Sequence, residues 1–88
     1  MNREPVVVTG LGLVTPAAVG VKESWEHLLE GTPTAAPDPA LEDMPVDFSC
    51  RVPDDALAAA LGRGLRWRTD RFIQMAVVAA REAVADAG

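Results

Sequence analysis

The chain is short of several things that chemistry usually needs. One cysteine in 88 residues can form neither an internal disulfide nor a cysteine-based metal cluster, and it fits a reducing, cytoplasmic setting. A single histidine, His27, leaves few ways to build a metal site, and no metal-ligand spacing, paired carboxylates or serine triad appears. Basic residues number 8 against 13 acidic ones, for a net charge of −5, which argues against a nucleic-acid partner, since such partners want a basic surface. No apolar run approaches the ~20 residues of a membrane span. The N-terminus, with Arg3, Glu4 and Pro5 ahead of a short apolar stretch, does not read as a signal peptide.

Apolar content is what the chain has in excess. At 49% hydrophobic residues it holds more than one small domain can hide, because a chain of this size buries only about 60–65% of its unfolded surface. The expectation is that residues 1–88 form one portion of a larger domain or assembly. In isolation such a portion leaves apolar surface and strand edges unpaired.

The most informative segment is Val6-Val7-Val8-Thr9-Gly10-Leu11-Gly12-Leu13-Val14-Thr15-Pro16. Three consecutive β-branched residues without polar alternation predict a strand buried on both faces, as in a parallel sheet wrapped by helices. Gly10 and Gly12 read as a sharp turn, and Pro16 requires the strand to end by Thr15. A dinucleotide loop also begins this way, but its third glycine would fall at Thr15, and the acidic residue wanted about 20 positions on falls at Glu30, inside a predicted helix. No nucleotide cofactor is expected.

Val21, Trp25, Leu28 and Leu29 share one helical stripe, predicting a helix over 21–30 that Gly31 stops. Residues 32–47 carry prolines at 33, 37, 39 and 45 and read as an irregular loop. Phe48, Cys50 and Val52 alternate with Ser49 and Arg51, the pattern of a short strand with one exposed face. Pro53-Asp54-Asp55 starts a short helix that ends at Gly62. Thr69 is the expected N-cap of a last helix from Asp70 to Ala87. That helix carries two apolar stripes, one of Ile73, Val77, Ala80, Val84 and Ala87, the other of Phe72, Ala76, Ala79 and Ala83, and one narrow polar sector of Asp70, Gln74, Arg81 and Glu82. Its many alanines permit close backbone approach, as in a helix packed between layers. The predicted order is strand, helix, strand, helix, helix, in an α/β fold.

Candidate functional residues are few. Cys50 shares a predicted strand face with Phe48 and Val52 and is expected to pack as a small hydrophobe, since nothing beside it in sequence would lower its pKa. His27 lies between Glu23 and Glu30 on the helix and is expected on a solvated charged face. No catalytic, metal or cofactor residue is assigned. The charge feature with information is Arg63, Arg66, Arg68 and Arg71, half of all basic residues in nine positions. Such a patch on an acidic chain either docks an acidic or phosphorylated partner, since arginine recognises carboxylates and phosphates well, or pairs with acids of its own chain. Trp67, within it, either anchors a contact or packs into the core beside a helix start.

PVVVTGLGLVTPAAVGVKESWEHLLEGTP resembles the N-terminus of β-ketoacyl-acyl carrier protein synthases, the condensing enzymes of type II fatty-acid and polyketide synthesis. TDRFIQMAVVAAREAVADAG is similar to the helix that follows there, and the spacing also matches. The resemblance implies a thiolase-like fold, layered αβαβα, of which residues 1–88 would be the N-terminal portion. It implies an acyltransferase chemistry whose cysteine and two histidines lie beyond the position matching Gly88. Cys50 and His27 do not match them, so the 88 residues alone would be inactive. It also implies an acyl carrier protein as partner, and a homodimer or a heterodimer with a non-catalytic chain-length factor. A relative of that non-catalytic type, or a free-standing carrier-binding module, would show the same residues. Arg63 and Arg68 fall at positions that are basic in the family's carrier-docking segment. Gly64 and Trp67 replace residues often basic there.

Overall fold

In the computed structural model, which describes residues 3–88, the elements are helix α1 (Val21–Glu30), strand β1 (Ala36–Pro37), a 3-10 turn (Pro39–Leu41), strand β2 (Phe48–Ser49), and helices α2 (Asp54–Leu61), α3 (Arg63–Arg66) and α4 (Arg71–Ala87). The helix limits follow local chemistry. Gly31 closes α1 in the left-handed region at φ 72°, its N–H donating to the Leu28 carbonyl, a conformation that glycine adopts without steric cost. Asp54 and Asp55 sit in the first turn of α2, where carboxylates complement the helix dipole. Asp70, not Thr69, is the N-cap of α4. The Thr69 hydroxyl instead donates to the Leu65 carbonyl at 2.7 Å.

The core lies where α2 meets α4. Leu57, Leu61 and Val78 are buried, with Val14, Val19, Val52, Leu65, Met75 and Val77 packed around them. This core is small for the chain. The radius of gyration is 16.4 Å, where a compact chain of this length would give about 12 Å.

The predicted first strand is not formed. Val6, Val7 and Val8 are 99%, 69% and 78% exposed, because a strand exists by its ladder and no other strand lies beside it among the described residues. Residues 3–13 instead form an arm whose later part runs along α4. At Val14 the chain makes a single antiparallel bridge to Val19, which turns it around Pro16 into α1. Gly10 and Gly12 serve close approach, where the sequence pointed to a turn. A Cβ on Gly12 would lie 1.8 Å from the Ala79 carbonyl oxygen, and one on Gly10 would lie 2.2 Å from that of Ala83. The alanines of α4 are what the glycines meet, so the expectation of a helix built for close backbone approach holds.

The polar sector of α4 is a row of staples. Glu82 accepts the Leu13 N–H at 2.9 Å on one carboxylate oxygen and the Val21 N–H at 3.1 Å on the other. It thereby caps α1, whose own N-cap, Gly20, has no side chain to offer. Asp86 accepts the Leu11 N–H at 3.1 Å. Arg81 donates to the Leu61 carbonyl at the end of α2 at 2.9 Å, and Gln74 donates to the carbonyls of Arg66 and Thr69. Together these bonds join α4 to the arm, to the start of α1, to the end of α2 and to the α3–α4 connection, so this one helix organises the chain.

Helix α1 packs against the sense of its sequence. The residue it buries is Ser24, whose hydroxyl shares a 2.9 Å hydrogen bond with that of Thr15 and donates to the Ala18 carbonyl. Of its apolar stripe, Val21 is half-buried, while Trp25, Leu28 and Leu29 are 57–69% exposed. The predicted second strand shortens to Phe48–Ser49, paired antiparallel with Ala36–Pro37 in the register Ala36↔Ser49 and Pro37↔Phe48. Cys50 therefore falls outside the ladder and is exposed, contrary to its expected burial. Asp38 holds the hairpin's end: its carboxylate accepts the Ser49 hydroxyl at 2.7 Å and the Ala40 N–H at 3.0 Å, with Arg51 at 3.8 Å.

Candidate docking surface

The basic cluster occupies the connection between α2 and α4. Gly62 enters it at φ 84°, in the left-handed region, and α3 then makes a single turn. Leu65 points inward and packs against the Leu57, Leu61 and Val78 core. Its inward position sends the neighbouring arginines outward, and Arg63, Arg66 and Arg68 are all exposed. No carboxylate lies within ion-pair distance of these three among the described residues, where the ion pairs are Arg51 with Asp38 and Arg71 with Asp54. The backbone beneath them is held. The Arg68 N–H donates to the Leu65 carbonyl at 3.2 Å, and the Gln74 amide grips the carbonyls of Arg66 and Thr69 at 3.2 and 3.0 Å.

Arg71 separates from the other three. Its guanidinium donates to the Val52 carbonyl at 2.8 Å and pairs with the Asp54 carboxylate, tying the start of α4 to the start of α2. The sequence groups it with Arg68, but the first turn of α4 rotates it toward its own chain. Trp67 resolves the other way. It is 84% exposed, with the Arg66 guanidinium carbon 5.6 Å from the ring centroid, inside the range of a cation–π contact.

His27 is half-buried, where a solvated face was expected. It lines an open groove of about 670 Å³ together with Leu11, Leu13, Trp25, Leu28 and Pro33. The apolar arm supplies one wall of that groove and α1 the other. Sequence reasoning missed Glu82 and Asp86 as structural residues. The signal was available in their i, i+4 spacing beside the alanine stripe, since that spacing places both on one helical face.

No helix among the described residues is long and apolar enough to cross a membrane. Nor do the described residues hold a group of three or more His, Cys, Asp or Glu able to bind a metal ion.

The chain is 42% identical over 88 residues to the tetracenomycin polyketide synthase ketoacyl synthase beta subunit of Streptomyces glaucescens, covering 96% of this chain and 21% of that one. It is 35% identical over 92 residues to 3-oxoacyl-(acyl-carrier-protein) synthase 2 of Rhizobium meliloti, covering 94% and 22%. To the synthase of the same name from Synechocystis it is 34% identical over 89 residues, covering 99% and 21%. The chain thus spans about a fifth of the length of these relatives. No solved structure matches it significantly. Residues 3–88 match the family described as "Beta-ketoacyl synthase, N-terminal domain", and with nearly every residue inside that match the chain belongs to the β-ketoacyl synthase family.

Proposed function

We propose that these residues are the N-terminal portion of a 3-oxoacyl-acyl carrier protein synthase, an acyltransferase that condenses an acyl thioester with malonyl carrier protein, and that Arg63, Arg66 and Arg68 form part of its carrier-protein docking surface. One observation carries the docking reading: three arginines on a single stitched turn, exposed and without acidic partners among the described residues, on a chain of net charge −5. Charges of one sign left unpaired on a surface of the other sign steer an oppositely charged partner. The catalytic cysteine and histidines of the family match no residue here, so in this reading the 88 residues alone do not condense anything. Family membership supports the layered thiolase-like fold, in which α4 lies between layers and the Val6–Val8 arm becomes a sheet strand. The reading also includes the pairing of two such subunits, as a homodimer or with a chain-length-factor-like partner.

Charge reversal tests the docking surface. With Arg63→Glu and Arg68→Glu together in the full-length protein, KM for a carrier-bound substrate is expected to rise about tenfold at low salt with kcat unchanged, because only encounter and ground-state binding are lost. An unchanged KM would sink the assignment.

A further inference from the structure

Within the docking surface, Trp67 is in an unusual position for its residue type. A tryptophan next to a helix start ordinarily turns inward to cover its own core, and that role is already taken here by Leu65, two residues earlier, which packs on Leu57, Leu61 and Val78. Trp67 is left 84% exposed, between Arg66 and Arg68, at the point where α3 ends.

The ring is exposed, but its setting is constrained. The Gln74 amide holds the carbonyl just before it, at Arg66, and the carbonyl two residues after it, at Thr69. The Thr69 hydroxyl and the Arg68 N–H both close on Leu65. The Arg66 guanidinium lies 5.6 Å from the ring centroid. An aromatic side chain has only two torsions to lose, and one already stacked and carried on a stitched turn loses little freedom when a partner arrives. Tryptophan and arginine are also the residues most enriched where truncation costs an interface most.

We infer that Trp67 is the apolar anchor of this surface: it receives an exposed apolar side chain of the acidic carrier protein on its ring, while Arg63, Arg66 and Arg68 engage the carboxylates around that side chain. This rests on the reading of the surface as a carrier-protein dock. Charge complementarity selects the occupant, because the ring is carried on a segment with three exposed arginines, Arg66 5.6 Å from its centroid, and the rest of this chain is acidic. The division of labour is specific. The arginines set the encounter rate and its salt dependence, whereas the ring sets the lifetime of the complex.

The test measures binding of purified acyl carrier protein to the full-length protein at low and at physiological salt, for the parent, Trp67→Ala, Trp67→Phe and the Arg63→Glu/Arg68→Glu pair. Trp67→Ala is expected to weaken binding about 30-fold at both salt concentrations, mainly through faster dissociation. Trp67→Phe, which keeps a ring face, is expected to retain most of the affinity. The charge-reversed pair is expected to bind weakly at low salt and to lose salt dependence. Exposure of the ring keeps the substitutions out of the core, and an unchanged far-UV circular dichroism spectrum verifies it. If Trp67→Ala binds like the parent while charge reversal weakens binding, the anchor is overturned and the docking reading stands. If charge reversal changes nothing, the docking reading falls and the anchor with it. A Trp67→Ala protein that loses self-association but not carrier affinity overturns the anchor by assigning the ring to a second copy of the chain.

Discussion

The N-terminal arm and the α2–α4 pair are held by different forces. Between α2 and α4 the contact is apolar burial, with Leu57 at 1%, Leu61 at 4% and Val78 at 7% exposure. Along the arm it is hydrogen bonding and backbone proximity: the N–H groups of Leu11 and Leu13 reach carboxylates on α4, Gly10 and Gly12 lie against its alanines, and the valines before them stay in solvent. Burial of a few large side chains is self-sufficient. A docked arm whose valines face outward draws little from their burial. That contrast predicts which substitutions the chain feels.

Truncation of the core gives the largest expected effect. Leu57→Ala removes a side chain with no solvent exposure to speak of, and such changes cost about 2–5 kcal/mol. Val7→Ala, in the arm, is expected to stay within about 0.5 kcal/mol in the 88-residue chain, where no strand lies beside it among the described residues, as surface changes do. Urea unfolding followed by the helical circular dichroism signal separates the two. Equal losses would mean that the arm valines are covered, and the contrast would fail.

A smaller effect is expected where the arm meets α4. In Gly12→Ala the added methyl meets the Ala79 carbonyl, a backbone group of a helix interior that cannot swing aside. Overpacking of this kind costs about 1–3 kcal/mol, and the arm can escape it by lifting. Amide exchange is the sharper readout: Leu11 and Leu13 lose protection while Leu57 and Leu61 keep theirs. Persistent protection at Leu13 would show that something other than α4 holds the arm.

What the sequence made legible divides along the same line. Helix α1 appears over the expected 21–30 and α2 ends at the expected Gly62, because stripes, caps and left-handed glycines are signals carried within one turn. The Val6–Val8 strand was read from side chains, whereas a strand is made by its neighbours, and none is present among the described residues. Gly10 and Gly12 show the same limit. A small residue announces that something comes close, but only the packed structure says that it is α4 and not a turn. At the candidate site, the four arginines were legible as a cluster, yet helix phase assigns Arg71 to Val52 and Asp54. The exposure of Trp67 depended on Leu65 filling the core first. Family membership was legible throughout, since the N-terminal and α4 motifs persist whether or not their sheet is complete.

The hairpin at Asp38 gives the smallest effect and the finest division, because it belongs to neither the core nor the arm. Hydrogen bonds from the Ser49 hydroxyl and then the Ala40 N–H, with Arg51 nearby, hold its carboxyl below the ordinary value, against a weaker opposing effect of burial. An acid whose folded-state pKa is lowered adds stability that is fully present above its unfolded value, about 3.9, and is lost as pH falls through the lower folded value. In the parent chain, amide protection at Ala40 should therefore decline as the pH drops below about 4. Asp38→Asn carries no charge to lose, so its protection at Ala40 should change less over that interval. The difference between the two profiles is the measurement. Parallel profiles would mean that the Asp38 charge does not hold the hairpin, and that the Ala36–Pro37 and Phe48–Ser49 pair stands on its backbone bonds alone.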